Sequence, residues 1–156
     1  ILKNNTKYLN LISKAIGKYE VSTIAGCSQA FRRKLLDEIG YLNDLFNPYG
    51  FEDSEFCMRS LNAGYRNYVD VNTWLYHGTD ARYINRDSNR ACENMFKGLT
   101  VFAYLAFNSQ RKFRNVILKI IYFEFIIEFI SSPSEAIKRM KLKLSGYRRG
   151  LQILKK

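Results

Sequence analysis

The sequence predicts an α/β domain of short strands and helices over residues 1–85, followed by a helical C-terminal tail over residues 86–156. A change in apolar patterning supports this class. β-branched and alternating segments occur before residue 78, whereas the long segments beyond residue 90 have the apolar spacing of helices. A chain of 156 residues is also long enough to bury a core of ordinary size.

The first part alternates between helices and strands. The predicted segments are a helix over 2–16, a strand over 21–25, helices over 31–39 and 52–63, and a strand or pair of short strands over 66–76. Gly40 and Gly64 follow the two later helices at the position where a residue with positive φ commonly ends a helix. Gly26 ends the first strand, and the run Asn47–Gly50 has the composition of a turn.

The tail contains three predicted helices, over residues 92–107, 111–130 and 133–154. Pro133 stands at the first position of the last helix, where a missing N–H group is tolerated. The middle helix is strongly apolar, but Lys119, Glu124 and Glu128 interrupt it, so its unbroken run is too short to span a bilayer. Its amphipathic pattern is compatible with a core helix and with an interfacial one.

Positive charge is concentrated in the tail. The chain has a net charge of +11, and residues 111–156 contain twelve basic residues against three acidic ones. Such a field favours an anionic partner, whether an anionic membrane surface, a nucleic acid or a phosphate-bearing substrate. Nucleic acid is the least favoured of these, because the aromatic residues are not interleaved with the basic cluster as base stacking requires.

Cysteine usage and the N-terminus bear on localisation. Cys27, Cys57 and Cys92 are widely spaced and form no CxxC pair, which favours reduced thiols in the cytoplasm over disulfides or a zinc site. Lysines interrupt the first twenty residues, so no signal peptide is predicted there. The chain starts at Ile1, and we expect it to be a segment of a longer protein.

Glu52 and Asp53 are the leading catalytic candidates. They stand at the predicted start of a helix, directly after the Asn47–Gly50 turn, and loop ends of this kind often carry chemistry. The alternative is structural, because acids in a first helical turn stabilise the helix through its macrodipole. Arg59 follows Glu55 by four residues and suits an ion pair with Glu55 or Glu52.

The single histidine of the chain, His77, follows the predicted strand over 66–76. Imidazole is a common ligand of divalent metals, and the Gly-Thr-Asp sequence after it is typical of an exposed loop. A structural hydrogen bond is the alternative role. Trp74 in the same strand suits either stacking on a sugar ring or a place in the core.

The order of these residues resembles the second half of a GT-A-type, family 2-like glycosyltransferase. The matching positions are, in order, Gly26, Arg32-Arg33, Ile39-Gly40, Glu52-Asp53, Arg59, Ala63-Gly64-Tyr65 and His77. The resemblance covers residues 20–80, about half of the chain. It implies a partial GT-A (Rossmann-like) fold for residues 1–85, which would form the C-terminal, acceptor and catalytic part of the transferase domain.

The resemblance also implies roles for individual residues. Asp53 would be the general base that deprotonates the acceptor hydroxyl in an inverting reaction, and Glu52 would orient the acceptor or Asp53. Gly26, Arg59 and Trp74 would lie on the substrate side of the site.

His77 would bind a divalent metal, Mn²⁺ or Mg²⁺, that stabilises the leaving diphosphate. In the family this metal also requires a DxD motif in a nucleotide-binding half. No such motif stands in a suitable context in this sequence. We therefore expect the metal only together with that half, and no activity from this chain alone.

The implied enzyme is a hexosyltransferase of cell-envelope polysaccharide synthesis. It would transfer a sugar from a nucleotide-sugar donor to a glycan or lipid-linked acceptor, in the cytoplasm or peripherally on the inner face of the membrane. The alternative is a non-catalytic membrane-binding or assembly module carried by the basic, amphipathic tail. Self-association is compatible with either reading.

Overall fold

The computed structural model describes residues 17–73, 88–107 and 110–155. Within these ranges the elements are β1 (Lys18–Val21), α1 (Arg33–Ile39), a short 3-10 helix (Asp44–Phe46), α2 (Glu52–Asn62), β2 (Asn67–Asp70), α3 (Ser88–Ala106), α4 (Gln110–Ser131) and α5 (Pro133–Ile153). The helix predicted over 2–16 lies outside the described residues.

The chain divides into two compact units. The sheet unit comprises Ile1–Tyr41 and Phe56–Gly78, and the helical unit comprises Leu42–Glu55 and Thr79–Lys156. Helix α2 begins in the helical unit and ends in the sheet unit. The predicted domain boundary near residue 85 falls in the undescribed stretch 74–87 and stays a prediction.

In the sheet unit, β1 and β2 pair antiparallel, with Lys18 opposite Asp70 and Val21 opposite Asn67. The predicted strand over 21–25 therefore lies too late in the chain, because Val21 is the last residue of β1. Side chains replace the sheet pairing beyond it. The Asn67 amide donates to the Ser22 carbonyl over 3.4 Å, and the Ile24 N–H donates to the Cys57 sulfur over 3.3 Å.

Both predicted helix-ending glycines are confirmed. Gly40 has a φ of 77°, and its N–H donates to the Leu36 carbonyl oxygen over 2.9 Å. Gly64 has a φ of 85°, and its N–H donates to the Leu61 carbonyl oxygen over 3.0 Å. Residues with a side chain rarely adopt this backbone conformation, which is why glycine serves at both positions.

The three predicted tail helices are confirmed as α3, α4 and α5, although α3 begins four residues earlier than the sequence suggested. Their shared core contains Phe96, Ala103, Phe113, Ile117, Ile121 and Tyr147. Two glycines of α5 allow α3 to approach closely. A Cβ atom at Gly146 would overlap the Glu93 carbonyl oxygen, and one at Gly150 would lie 2.7 Å from the Thr100 Cβ atom.

Helices thus predominate in the described residues, and the two short strands form an antiparallel pair. This architecture is compatible with part of an α/β domain. In the described ranges, no helix combines the length and the apolarity that a bilayer crossing requires.

Candidate active site

Glu52 and Asp53 form the first turn of α2, as the sequence predicted. Both side chains are half-buried. The positive end of the helix dipole favours carboxylates at this position. The Asp53 carboxylate accepts a hydrogen bond from the Ser54 N–H over 2.7 Å, and the first helical bond runs from the Glu55 N–H to the Phe51 carbonyl oxygen over 2.9 Å.

The chain enters α2 through two successive residues with positive φ. Gly50 has a φ of 113° and Phe51 a φ of 71°. The second value is unusual for a bulky side chain and costs roughly 1–3 kcal/mol, so it persists only where the surroundings enforce it. The Gly50 N–H donates to the Glu52 carboxylate over 2.5 Å, which ties the acid back onto the turn that precedes it. We call residues 47–53 the acidic turn.

A buried lysine of α3 holds the start of this turn. Lys97 is 1% exposed, and its ammonium group donates to the carbonyl oxygens of Phe46, over 3.1 Å, and of Asn47. Burial lowers the pKa of Lys97, the nearby Arg149 lowers it further, and Glu52 acts in the opposite direction. The ammonium therefore serves as a hydrogen-bond donor to the turn and as a positive charge that interacts with Glu52.

Two further residues of α3 hold the end of the turn. A Cβ atom at Gly98 would overlap the Gly50 carbonyl oxygen and lie 3.0 Å from its carbon, so only glycine fits this contact. Phe102 stacks on Phe51 with ring centroids 5.6 Å apart and an angle of 24° between the planes. These contacts account for the positive φ of Phe51, because its ring has a fixed partner.

A cavity of about 230 Å³ borders the acidic turn. Its polar lining residues include Asn43, Asp44, Asn47, Tyr49 and Glu52. Carboxylate, amide and phenol groups are suited to the hydroxyls of a sugar, and the volume lies below the roughly 300–1,000 Å³ of complete small-molecule sites. The cavity is therefore of a size to receive part of a ligand.

Arg59 lies further along α2 and contacts the end of α1. Its guanidinium group donates to the carbonyl oxygens of Ile39 and, over 2.7 Å, of Tyr41, and it lies 5.3 Å from the centroid of the Phe56 ring. These contacts connect α2 to the segment that follows α1. The substrate role implied for Arg59 stays a prediction.

Residues 6–83, half of the chain, match the family described as the N-terminal domain of galactosyltransferase. The chain belongs to this family. No curated protein and no solved structure matches it significantly. The assignment as a glycosyltransferase domain is thereby confirmed, whereas this match to a galactosyltransferase family does not confirm the family 2-like type.

The matched region of this glycosyltransferase domain contains the whole acidic turn but ends before α3. The three residues that hold the turn, Lys97, Gly98 and Phe102, were all missed by the sequence analysis. One signal was available: a glycine inside an apolar helix costs about 1 kcal/mol relative to alanine, so its presence suggests a close contact. The sequence around Gly98 does not indicate that the residue in contact with it is Gly50.

The other predicted site residues lie in the sheet unit or outside the described residues. Gly26 lies on an exposed turn after β1. Trp74 and His77 fall in the undescribed stretch 74–87, so their predicted roles remain predictions. A groove shared by Gly26, Asp53 and His77 likewise stays a prediction.

The sheet unit contains a cleft of its own, with a volume of about 410 Å³. Its lining includes Phe31, Arg32, Phe56, Tyr65, Arg66 and Tyr68. Neither Glu52 nor Asp53 lines it, so the acidic turn and this cleft are separate features.

No group of three histidine, cysteine, aspartate or glutamate side chains within the described ranges is placed to hold a metal ion. The described residues therefore do not form a metal site by themselves.

Proposed function

We propose that the acidic turn is the catalytic centre of an inverting glycosyltransferase, with Asp53 as the general base. One observation supports this most strongly. In a domain of the galactosyltransferase family, a half-buried pair of carboxylates opens a helix on a turn that a second helix holds in place, and one of the pair, Glu52, lines a cavity. Catalysis requires such groups to be positioned in advance of the reaction.

In the proposed reaction an acceptor hydroxyl attacks the anomeric carbon of the donor sugar. The new C–O bond forms as the bond between that carbon and the nucleotide diphosphate breaks, and the diphosphate leaves with the electron pair. The Asp53 carboxylate takes the hydroxyl proton as the nucleophile attacks. A single displacement of this kind inverts the anomeric configuration.

Glu52 has a positioning role in this proposal. Its carboxylate accepts the Gly50 N–H and borders the cavity of about 230 Å³. It therefore maintains the shape of the turn beside Asp53 and offers an acceptor for a sugar hydroxyl.

The proposed donor is a nucleotide-sugar and the proposed acceptor a glycan or a lipid-linked sugar. The family description names galactosyl transfer, so a nucleotide-activated galactose is the first donor to test. We also propose that the domain has a partial GT-A architecture of the family 2-like type. In this proposal the chain forms the acceptor half of the domain. Membrane association and a cytoplasmic or inner-face location remain proposals of the same standing.

A divalent metal, Mn²⁺ or Mg²⁺, is proposed to bind His77 together with the DxD motif of a nucleotide-binding half. Bound there, the metal would neutralise charge on the leaving diphosphate. Titration of Mn²⁺ into the natural polypeptide that carries this chain and into its His77→Asn variant tests this ligand. Equal affinities would remove His77 from the proposal.

The proposed function is tested by measuring transfer with the natural polypeptide that carries this chain. Nucleotide-sugars are supplied one at a time, with oligosaccharide and lipid-linked acceptors, and the product is followed by NMR. We expect one donor to be consumed and the anomeric configuration to be inverted. A product with retained configuration would exclude Asp53 as a base in a single displacement, and the absence of transfer from every donor would contradict the function itself.

A further inference from the structure

Helix α4 has one face in the core and an apolar face turned to solvent. Phe113, Ile117 and Ile121 occur at helical spacing and are at most 3% exposed. In the second half of the helix, the opposite face carries six large apolar side chains that are 40% exposed or more, Tyr122, Phe123, Ile126, Ile127, Phe129 and Ile130. Ile130 reaches 81%. We call these six residues the apolar patch.

The two acidic residues of α4 are turned toward α5, away from the apolar patch. Lys143 is 3% exposed in its side chain and contacts Glu124 over 2.7 Å and Glu128 over 3.1 Å. Arg139 contacts Glu128 over 3.0 Å. The sequence of α4 contains no other acid, and the Glu124 side chain, which is 44% exposed, is held in the ion pair with Lys143.

Exposed basic side chains of α4 occur only in its first half, where Val116 and Leu118 are also exposed. Arg111, Arg114 and Lys119 are exposed in the first half of α4, and the apolar patch occupies the second half. Lys119 and Ile130 are eleven residues apart, about 16 Å along the axis at 1.5 Å per residue. A helix that lies in the membrane interface can present such basic side chains to the lipid phosphates and such apolar side chains to the acyl boundary.

We propose that α4 docks on the surface of an anionic bilayer, with the apolar patch inserted at the acyl boundary and the basic half on the lipid phosphates. The helix lies in the interface and does not cross it. Charge complementarity favours an anionic bilayer as the partner, because basic residues are attracted to an anionic leaflet. A second copy of the chain fits less well. Antiparallel pairing of two such faces would cover the lysine and arginines of one copy with the apolar patch of the other.

Sedimentation with vesicles made of equal parts phosphatidylglycerol and phosphatidylcholine tests the proposal, using the whole chain. We expect wild-type protein to sediment with these vesicles at low salt and to remain in solution with pure phosphatidylcholine. The double variant Tyr122→Gln with Phe123→Gln removes two exposed rings, and affinity should fall roughly tenfold or more. The double variant Arg111→Gln with Lys119→Gln should lower affinity about fivefold per charge and weaken its dependence on salt.

Matched controls come from the sheet unit. Tyr41 is 65% exposed and Tyr122 is 66% exposed, so Tyr41→Gln removes an equivalent ring elsewhere. Arg33→Gln with Lys34→Gln removes the same net charge from α1. Both controls should bind as the wild type does.

Three results would overturn the proposal. The first is that the wild-type chain fails to sediment with anionic vesicles at low salt, and the second is that the controls lose as much vesicle affinity as the α4 variants. The third is that the wild-type chain does not bind vesicles but forms a dimer, which the Tyr122→Gln, Phe123→Gln variant does not form. The last result would assign the patch to a second copy. Circular dichroism of each variant excludes unfolding as the cause.

Discussion

Lys97 places a charged side chain where lysine is rarely found, since it is 1% exposed within α3. The arrangement is tolerated because the ammonium group donates to two backbone carbonyls at the start of the acidic turn. Lys97→Met should keep most of the volume but leave both carbonyls without their donor. We expect the free energy of unfolding to fall by roughly 1–3 kcal/mol.

Urea unfolding of Lys97→Met measures this loss, with Lys141→Met as the control because Lys141 is exposed on α5. An unchanged free energy of unfolding in Lys97→Met would show that the two carbonyls do not depend on the ammonium group.

Glu52 has two separable properties, a charge and a hydrogen-bond acceptor. Glu52→Gln retains an oxygen that can accept the Gly50 N–H, whereas Glu52→Ala does not. We expect the alanine variant to lose about 1.5–3 kcal/mol of stability and the glutamine variant considerably less. Thermal and urea unfolding of both variants measure the difference, and equal losses would mean that the bond to Gly50 does not stabilise the turn.

At the scale of elements, the contact between α3 and the acidic turn depends on Gly98. Alanine has the higher helix propensity, and a substitution free of contacts would stabilise α3 by about 1 kcal/mol. Because a Cβ atom at Gly98 would overlap the Gly50 carbonyl oxygen, Gly98→Ala should instead lower the unfolding temperature and reduce sugar transfer. Met95→Ala, at a 56% exposed position one turn earlier, is the control. A more stable Gly98→Ala protein would contradict the close approach.

Helix starts and ends that depend only on neighbouring residues could be predicted from the sequence. Gly40 and Gly64 end helices through their own backbone conformation, and the Glu52 start of α2 follows from its acidic first turn. β1 was misplaced because β-branched residues favour strands only when a partner strand is available, and side chains of Asn67 and Cys57 take over beyond Val21.

The position of the acidic pair at the start of α2 could also be predicted from the sequence, because it depends on local residues. The contacts by which α3 holds this pair in place could not be predicted. Gly50 and Gly98 are 48 residues apart, and the contact between them depends on how α3 packs, which no pattern around either residue reveals. The sequence therefore predicts the acidic turn and leaves its positioning undetermined.

For the helical unit as a whole, carboxylates paired with cations predict a loss of stability in acid. The Ser145 hydroxyl, with Arg149, lowers the pKa of Glu93 despite partial burial. Burial opposes ionisation of Glu128, but hydrogen bonds from Lys143 and Arg139 outweigh it and lower its pKa. Both folded-state values lie below the ordinary value of 4.5.

The contribution of these two carboxylates is therefore fully present above about pH 4.5 and is lost as the pH falls through their folded-state pKa values. We expect the free energy of unfolding to decline on acidification, and to decline less in a Glu93→Gln, Glu128→Gln double variant. Glu135→Gln, at an exposed ion pair with Lys138, should decline as the wild type does. Parallel pH profiles for the wild type and the double variant would contradict this account.

The two units contribute differently to the proposed enzyme. The family match covers the sheet unit and the acidic turn, whereas the helix that positions the turn belongs to the tail and lies outside the match. The tail is therefore part of the catalytic architecture in this account, in addition to the surface that α4 presents. A domain reduced to residues 6–83 would keep the acids and lose Lys97, Gly98 and Phe102.

The most direct test of the central claim is the rate of sugar transfer by Asp53→Asn in the natural polypeptide, at saturating acceptor. Asparagine keeps the shape of Asp53 but cannot take the hydroxyl proton, so kcat should fall by about 10²- to 10⁴-fold with folding intact. Asp37→Asn, an exposed ion-pair residue of α1, should retain wild-type kcat. If Asp53→Asn transferred sugar at nearly the wild-type rate, Asp53 would not be the base and the acidic turn would not be the catalytic centre.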